Sequence, residues 1–206
     1  MIHNRNFQKW MDGLVLSGPK PHLLGLVRSL IHYRGTPRTK YELQDLPQDS
    51  GRYLSGLCNL RSLTLSNTRV RRINEEEFRT CFSAFRETLT YISFDAPAVS
   101  FGGFVTLVDC FPKIRTLRIH SPVHEDHEDP IPPLSRPLRG KLHVRHSRHY
   151  GLVFFERFSK LDLEYEELII GSCSPMSSTF LERALQISTG TVKFLRLIAE
   201  CQLSCE

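Results

Sequence analysis

Apolar residues recur along this chain in the spacing L-x-x-L-x-L, and the centre of the pattern returns every 25 to 33 residues. Full copies read Leu60-Leu63-Leu65, Leu89-Ile92-Phe94, Ile114-Leu117-Ile119 and Val192-Leu195-Leu197. Partial copies at Leu142-Val144 and Leu168-Ile170 fill the gap in register, and a weaker one, Val27-Leu30, precedes them all. A period of this size marks a chain built from stacked supersecondary units, each unable to bury its apolar face alone. The pattern therefore predicts a solenoid whose strands form one curved parallel sheet.

Between the strands the period changes from two to that of a helix. Asn74 is placed to cap a helix whose first turn holds Glu75, Glu76 and Glu77, where negative charge suits the helix N-terminus. Phe78, Phe82 and Phe85 then share one face. The next unit repeats the grammar: Ser100 precedes a short helix with Phe101, Phe104, Leu107, Val108 and Phe111, weakened at its start by Gly102 and Gly103 and ended by Pro112. Phe154, Phe155, Phe158 and Leu161 lead into a strand over 165–170. Ser177 or Ser178 opens a helix with Phe180, Leu181, Ala184, Leu185 and Ile187 before a strand over 192–198. The predicted class is α/β: a leucine-rich-repeat-like solenoid of about six to seven strands with helices on the convex side, forming a single domain over residues 1–206.

Two stretches break the pattern. Residues 34–50 are polar and turn-rich, leaving room only for a short helix near 50–57. Residues 121–140 hold Pro122, Pro130, Pro132, Pro133 and Pro137, too many for a helical ladder, and are expected to be irregular, in part extended and in part an acidic loop.

Within each strand, residues alternating with the leucines face solvent. This rule sets Tyr91, Ser93 and Asp95 beside Thr116, Arg118 and His120, then Lys141, His143 and Arg145, then Glu167 and Ile169. The middle two strands thus present a basic patch of Arg118, His120, Lys141, His143 and Arg145, bordered by Tyr91 and Asp95 on one side and Glu167 on the other. Arginine pairs well with carboxylate and phosphate, so these eight residues are the candidate protein-binding site for an acidic or phosphorylated segment. The alternative is a solvated face whose charges only keep the chain soluble.

The remaining chemistry is thinner. A net charge of +5, from 27 basic and 22 acidic residues interspersed along the chain, lacks the concentrated stripe that nucleic acid requires. No run of 18 apolar residues suggests a membrane span, and no signal-peptide layout is evident, so the cytoplasm or nucleus is expected. The six cysteines are irregularly spaced; Cys58, Cys81 and Cys110 read as small buried hydrophobes. His124-Glu125-Asp126-His127-Glu128-Asp129, followed by His143, His146 and His149, resembles a run of metal ligands, but it lies in a loop, and His143 and His146 alternate to opposite strand faces. There is no G-x-S-x-G elbow, phosphate loop or C-x-x-C pair. No cofactor or metal site and no enzymatic activity is expected; the competing readings are a metal-binding or hydrolytic enzyme using the histidine-rich segment, and a degenerate fragment without function.

The run LCNLRSLTLSN, with FGGFVTLVDCFPKIRTLRIHSP, PPLSRPLRGKLHV, FSKLDLEYEELIIG and TVKFLRL, resembles a group of mushroom-type fungal proteins that are F-box-associated and leucine-rich-repeat-like. Pro21-His22-Leu23 leading into VRSL is similar to the opening of their repeat region. The resemblance implies the substrate-recognition part of a ubiquitin ligase receptor, with a Skp-type adaptor as partner where an F-box precedes the repeats. Here Leu46-Pro47-Gln48-Asp49 is the nearest string to an F-box helix, and Ser50 follows it instead of an apolar residue, so no F-box is evident.

Overall fold

The computed structural model describes residues 24–33, 54, 56–66, 69–70, 79–80, 82–95, 98–99, 101–120, 133–146, 157–158, 160–172, 182, 185–186 and 190–199. Seven strands form one all-parallel sheet: β1 (Ser29–Tyr33), β2 (Ser62–Ser66), β4 (Tyr91–Asp95), β6 (Thr116–His120), β7 (Leu138–His146), β8 (Leu163–Ser172) and β9 (Phe194–Ala199). Two short strands, β3 (Arg69–Val70) and β5 (Ala98–Val99), pair in parallel with each other in a second sheet. Every strand of the main sheet lies beside its predecessor, so the chain adds one column at a time.

The register explains why the leucine spacing is so regular. Leu30, Leu63, Ile92, Leu117, Leu142, Leu168 and Leu195 form one cross-strand row, and His32, Leu65, Phe94, Ile119, Val144, Ile170 and Leu197 form another. From β2 to β8 these two rows are almost wholly buried. Each such side chain removed from water contributes about 1.5–3 kcal/mol, and a one-residue slip would turn both rows to solvent. At the edges the rows are less covered: Leu195 and Leu197 remain 41% and 43% exposed.

Helix α1 (Phe101–Asp109) packs on the buried side, with Phe101, Phe104, Val105, Leu107 and Val108 all inaccessible. The glycines do not delay its start, because Gly103 is itself buried in the helix. A 3-10 turn at Ser83–Phe85 occupies the matching place one unit earlier. The aromatic side chains link these segments into a layer. Phe85 stacks on Phe111 at 5.7 Å, Phe82 meets Phe111 at 5.6 Å, and Phe94 in β4 meets Phe104 in α1 edge-on at 5.4 Å. Phe158 joins Phe104 to Tyr165 in β8.

Turns reach back by one repeat length. The Asn59 amide donates to the Gly25 carbonyl at 2.8 Å, and the Thr88 hydroxyl donates to the Leu60 carbonyl at 2.8 Å. The Ser135 amide and hydroxyl both donate to Asp109, at 2.9 and 2.7 Å, and Arg136 donates to the Phe111 carbonyl. The Gly25, Leu60 and Phe111 carbonyls are thereby satisfied by side chains of the following unit, and the Ser135 amide by Asp109 of the preceding one.

Two expectations change. Cys58 is exposed, because it stands on the turn between buried Leu57 and Leu60, whereas Cys110 is buried as expected. Residues 138–140 belong to β7 and not to the proline-rich irregular segment, because Leu138 is buried against Leu163 in β8. The β7–β8 register also shifts between Gly140 and Lys141: Gly140 pairs with Tyr165 and Lys141 with Glu167, leaving Glu166 as the extra residue of a bulge. Asn74, Glu75, Glu76, Glu77, Phe78, Cys81, Ser100, Phe154, Phe155, Ser177, Ser178, Phe180, Leu181, Ala184 and Ile187 lie outside the described residues, as do 34–50.

Tyr165 is buried, and its hydroxyl has no hydrogen-bond partner among the described residues. Burial pushes the phenol far above its usual range, an effect that the nearby Arg136 guanidinium opposes only in part. The folded state therefore keeps the proton, while the unfolded chain releases it near pH 10. This contribution to stability is complete below pH 10 and falls by about 1.4 kcal/mol per pH unit above it. Tyr165→Phe should match or exceed the wild type in urea unfolding at pH 7, since no bond is lost and an unsatisfied group is removed. At pH 10.5–11 the gap should widen in favour of the variant; equal losses in both proteins would show that the phenol ionises in place.

Candidate functional site

The other face of the sheet is polar. Its rows alternate with the buried ones, so each strand from β2 to β7 contributes three outward residues. All eight residues expected on this face lie there: Tyr91 and Asp95 in β4, Arg118 and His120 in β6, Lys141, His143 and Arg145 in β7, and Glu167 in β8. Their mutual positions follow from the register. Arg118 is directly opposite His143, His120 opposite Arg145, and Thr116 opposite Lys141. Asp95 is opposite His120 and Lys141 is opposite Glu167.

The charges are organised more finely than the sequence suggests. His120 Nδ1 lies 2.7 Å from Asp95 Oδ1, and the Ser66 hydroxyl donates to Asp95 Oδ2 at 3.0 Å. Lys141 Nζ lies 2.5 Å from Glu167 Oε2, across two partly exposed side chains. Arg118 makes no ion pair among the described residues and is half-buried between Ser93 and His143 in its row. Arg145 lies beside Gly171: a β-carbon built there would stand 3.5 Å from Arg145 Cγ and 3.8 Å from Cβ. The stem of Arg145 thus leans over the glycine of β8.

Sequence reasoning counted all five basic residues equally and missed the carboxylates that meet His120 and Lys141. Their signal was present in the chain, because Asp95 and Glu167 occupy the same alternating positions as the basic residues of the neighbouring strands. An exposed pair such as Lys141–Glu167 contributes only about 0.2–1 kcal/mol, so an incoming anion can recruit Lys141 at little cost. Two further pairs are Arg139 at 2.6 Å from Glu164, opposite each other at the starts of β7 and β8, and Lys113 at 3.5 Å from Glu87 in the turns.

The Ser66–Asp95–His120 chain has the residue types of a hydrolytic triad in the wrong order. Its hydroxyl donates to the carboxylate, and it is the carboxylate that meets the imidazole, whereas in a triad the imidazole stands between the other two. No group of three His, Cys, Asp or Glu side chains disposed to hold a metal occurs among the described residues. His124, His127 and His149 lie outside those residues, and His146 is described only in its backbone. Among the described residues no helix is long and apolar enough to cross a membrane. What this face can do chemically is hold an anion against a rigid sheet.

Comparison with protein-family models, with curated proteins and with solved structures gives no match for this chain.

Proposed function

We propose that the protein is a non-enzymatic recognition module of the leucine-rich-repeat-like solenoid type, which takes an acidic protein segment on the polar, concave face of its sheet. The observation that carries this reading is the cross-strand register, which gathers Arg118, His120, Lys141, His143 and Arg145 on two adjacent columns of one face. Sequential strand order and back-reaching turns support the solenoid, because every unit contacts its neighbours at the repeat spacing. A rigid face presenting side chains at fixed spacing suits an extended segment of a partner. The sequence resemblance adds a setting: selection of substrates for a ubiquitin ligase, with a Skp-type adaptor engaged only through an F-box upstream of the repeats. No cofactor enters this reading, and neither nucleic acid nor membrane is the partner.

The test is charge reversal. Simultaneous Arg118→Glu, Lys141→Glu and Arg145→Glu should reduce binding of Asp/Glu-rich peptides at least tenfold in fluorescence polarisation. The melting transition of the triple variant is measured alongside, because Arg118 and Arg145 are half-buried and Lys141 pairs with Glu167. Unchanged peptide binding by the folded triple variant would sink the proposal.

A further inference from the structure

We infer that β9 is a docking edge, completed by one extended segment of a partner protein, apolar with a central acidic residue, that adds beside it as a further strand. The inference stands apart from the reading given to β6 and β7 and concerns a different surface. Strand order ends at β9, so among the described residues its outer edge carries backbone N–H and C=O groups with no strand to meet them. Edges of this kind are ordinarily guarded by proline, a bulge or several charges. β9 reads Phe-Leu-Arg-Leu-Ile-Ala, with no proline and a single charge. Both of its faces expose apolar side chains. Phe194 is 69% exposed on the face shared with the polar columns, and Leu195 and Leu197 are 41% and 43% exposed on the other. Their counterparts one column inward, Leu168 and Ile170, are buried. At β9 the two apolar rows therefore lack the neighbour that covers them in the inner strands, and one added strand supplies it.

Charge decides which strand fits. Arg196 is exposed and makes no ion pair among the described residues; Ile169 stands opposite it, and Phe194 and Ile198 lie two residues to either side. Glu167, opposite Phe194, is taken by Lys141. A strand laid along β9 sets one residue directly opposite Arg196, where Asp or Glu gains a cross-strand ion pair and Lys or Arg is repelled. Apolar residues on either side of that acid meet Leu195 and Leu197 on one face, and the next pair outward meets Phe194 and Ile198 on the other. The segment thus reads apolar-apolar-acid-apolar-apolar. Main-chain hydrogen bonds give such an addition its affinity, and the side-chain pairs give it selectivity. A second copy of this chain does not supply the acid. β9 holds no carboxylate to offer in any register, and antiparallel pairing centred on Arg196 sets two guanidinium groups against each other. β1 of another copy, added in parallel with the rows continued, sets Ile31 opposite Arg196 and His32 opposite Leu197.

The experiment sets the full chain against three fluorescein-labelled peptide libraries in fluorescence polarisation. In each, varied apolar residues flank a fixed centre between serine-rich ends: the centre is glutamate, lysine, or glutamate beside N-methylated neighbours that cannot donate to a strand edge. The glutamate library should bind at least tenfold more tightly than either of the others. Arg196→Glu, its fold checked by the melting transition, should reverse the preference in favour of the lysine library, a result that loss of structure does not produce. The triple charge reversal on β6 and β7 should retain most of this binding at about 0.15 M salt, where charges two columns away are largely screened. Its loss there would place the peptide on β6 and β7 and overturn the inference. Equal binding of the glutamate and lysine libraries, indifference to N-methylation, or binding of none would overturn it as well. So would a dimer in light scattering that Arg196→Glu leaves intact, which assigns the edge to a second copy. Binding gained only on removal of residues 200–206 would assign it to the chain's own end, again against the inference.

Discussion

Gly140→Ala should lower the stability of the fold by about 3 kcal/mol, two to three times the cost of the same change at Gly190. Both glycines have positive φ, +98° and +113°, a backbone region that costs other residues about 1–2 kcal/mol. At Gly190 no described residue lies within 4 Å of the added carbon, so the backbone cost stands alone. At Gly140 that carbon would fall 2.3 Å from the carbonyl oxygen of Arg115. The same oxygen accepts the Lys141 amide at 2.8 Å, the bond that carries the ladder from β6 into β7. Relieving the clash moves this carbonyl, and an amide left unsatisfied costs about 1–3 kcal/mol more. For a chain of this size, 3 kcal/mol corresponds to a fall of about 6–12 °C in melting temperature. Scanning calorimetry of the two variants side by side decides the matter; equal shifts would mean that the Arg115 carbonyl gives way freely.

Phe111→Ala should cost about 3–5 kcal/mol, a large part of the 5–15 kcal/mol typical of a folded domain. Its ring is fully buried and holds two others: Phe85 stacks on it, and Phe82 meets it at a tilt. Phe111 also lies on the link between units, since its carbonyl accepts from Arg136. Truncation leaves a cavity where α1 gives way to β6, and the flanking rings can collapse into it only by leaving their own contacts. Phe111→Leu retains most of the volume and should cost less than about 1.5 kcal/mol. Urea unfolding followed by far-ultraviolet circular dichroism measures both. A loss below about 1 kcal/mol for the alanine variant would show that the aromatic layer is loosely packed.

The parallel sheet was legible because its two buried rows have to be apolar in every strand. Leu63, Ile92, Leu117, Leu142 and Leu168 mark one row unambiguously, and the period-two rule then assigns the outward residues without further information. Helical stretches were legible where large apolar residues repeat at helical spacing, as at Phe101, Phe104 and Val108. The bulge at Glu166 was not, since it stands beside the positive-φ Gly140 of the neighbouring strand, and a lone glycine in a proline-rich stretch reads as loop. The starts of β7 and β8 were missed for the same reason: Leu138 and Leu163 add a pair outside the L-x-L frame. Cys58 misled because it sits beside buried residues, and turn geometry, which decides its exposure, leaves little trace in hydropathy. On the polar face, the sequence located the residues but not their partnerships. Whether His120 leans to Asp95 or Arg145 depends on side-chain directions, which no periodicity encodes.

The fixed rows also separate two kinds of change. Spacing between strand centres varies from 25 to 33 residues, yet the pairing register from β1 to β7 is unbroken through the L-x-L positions. Length differences are absorbed in the connections and never reach the sheet. The outward positions work as an addressable grid, in which a residue is specified by its column and row. Exchanging the occupant of one partly exposed address, such as Thr64 or Ile169, alters the chemistry of the surface and leaves the two buried rows as they are. A chain organised in this way can drift to a new partner by single substitutions while its framework stays the same.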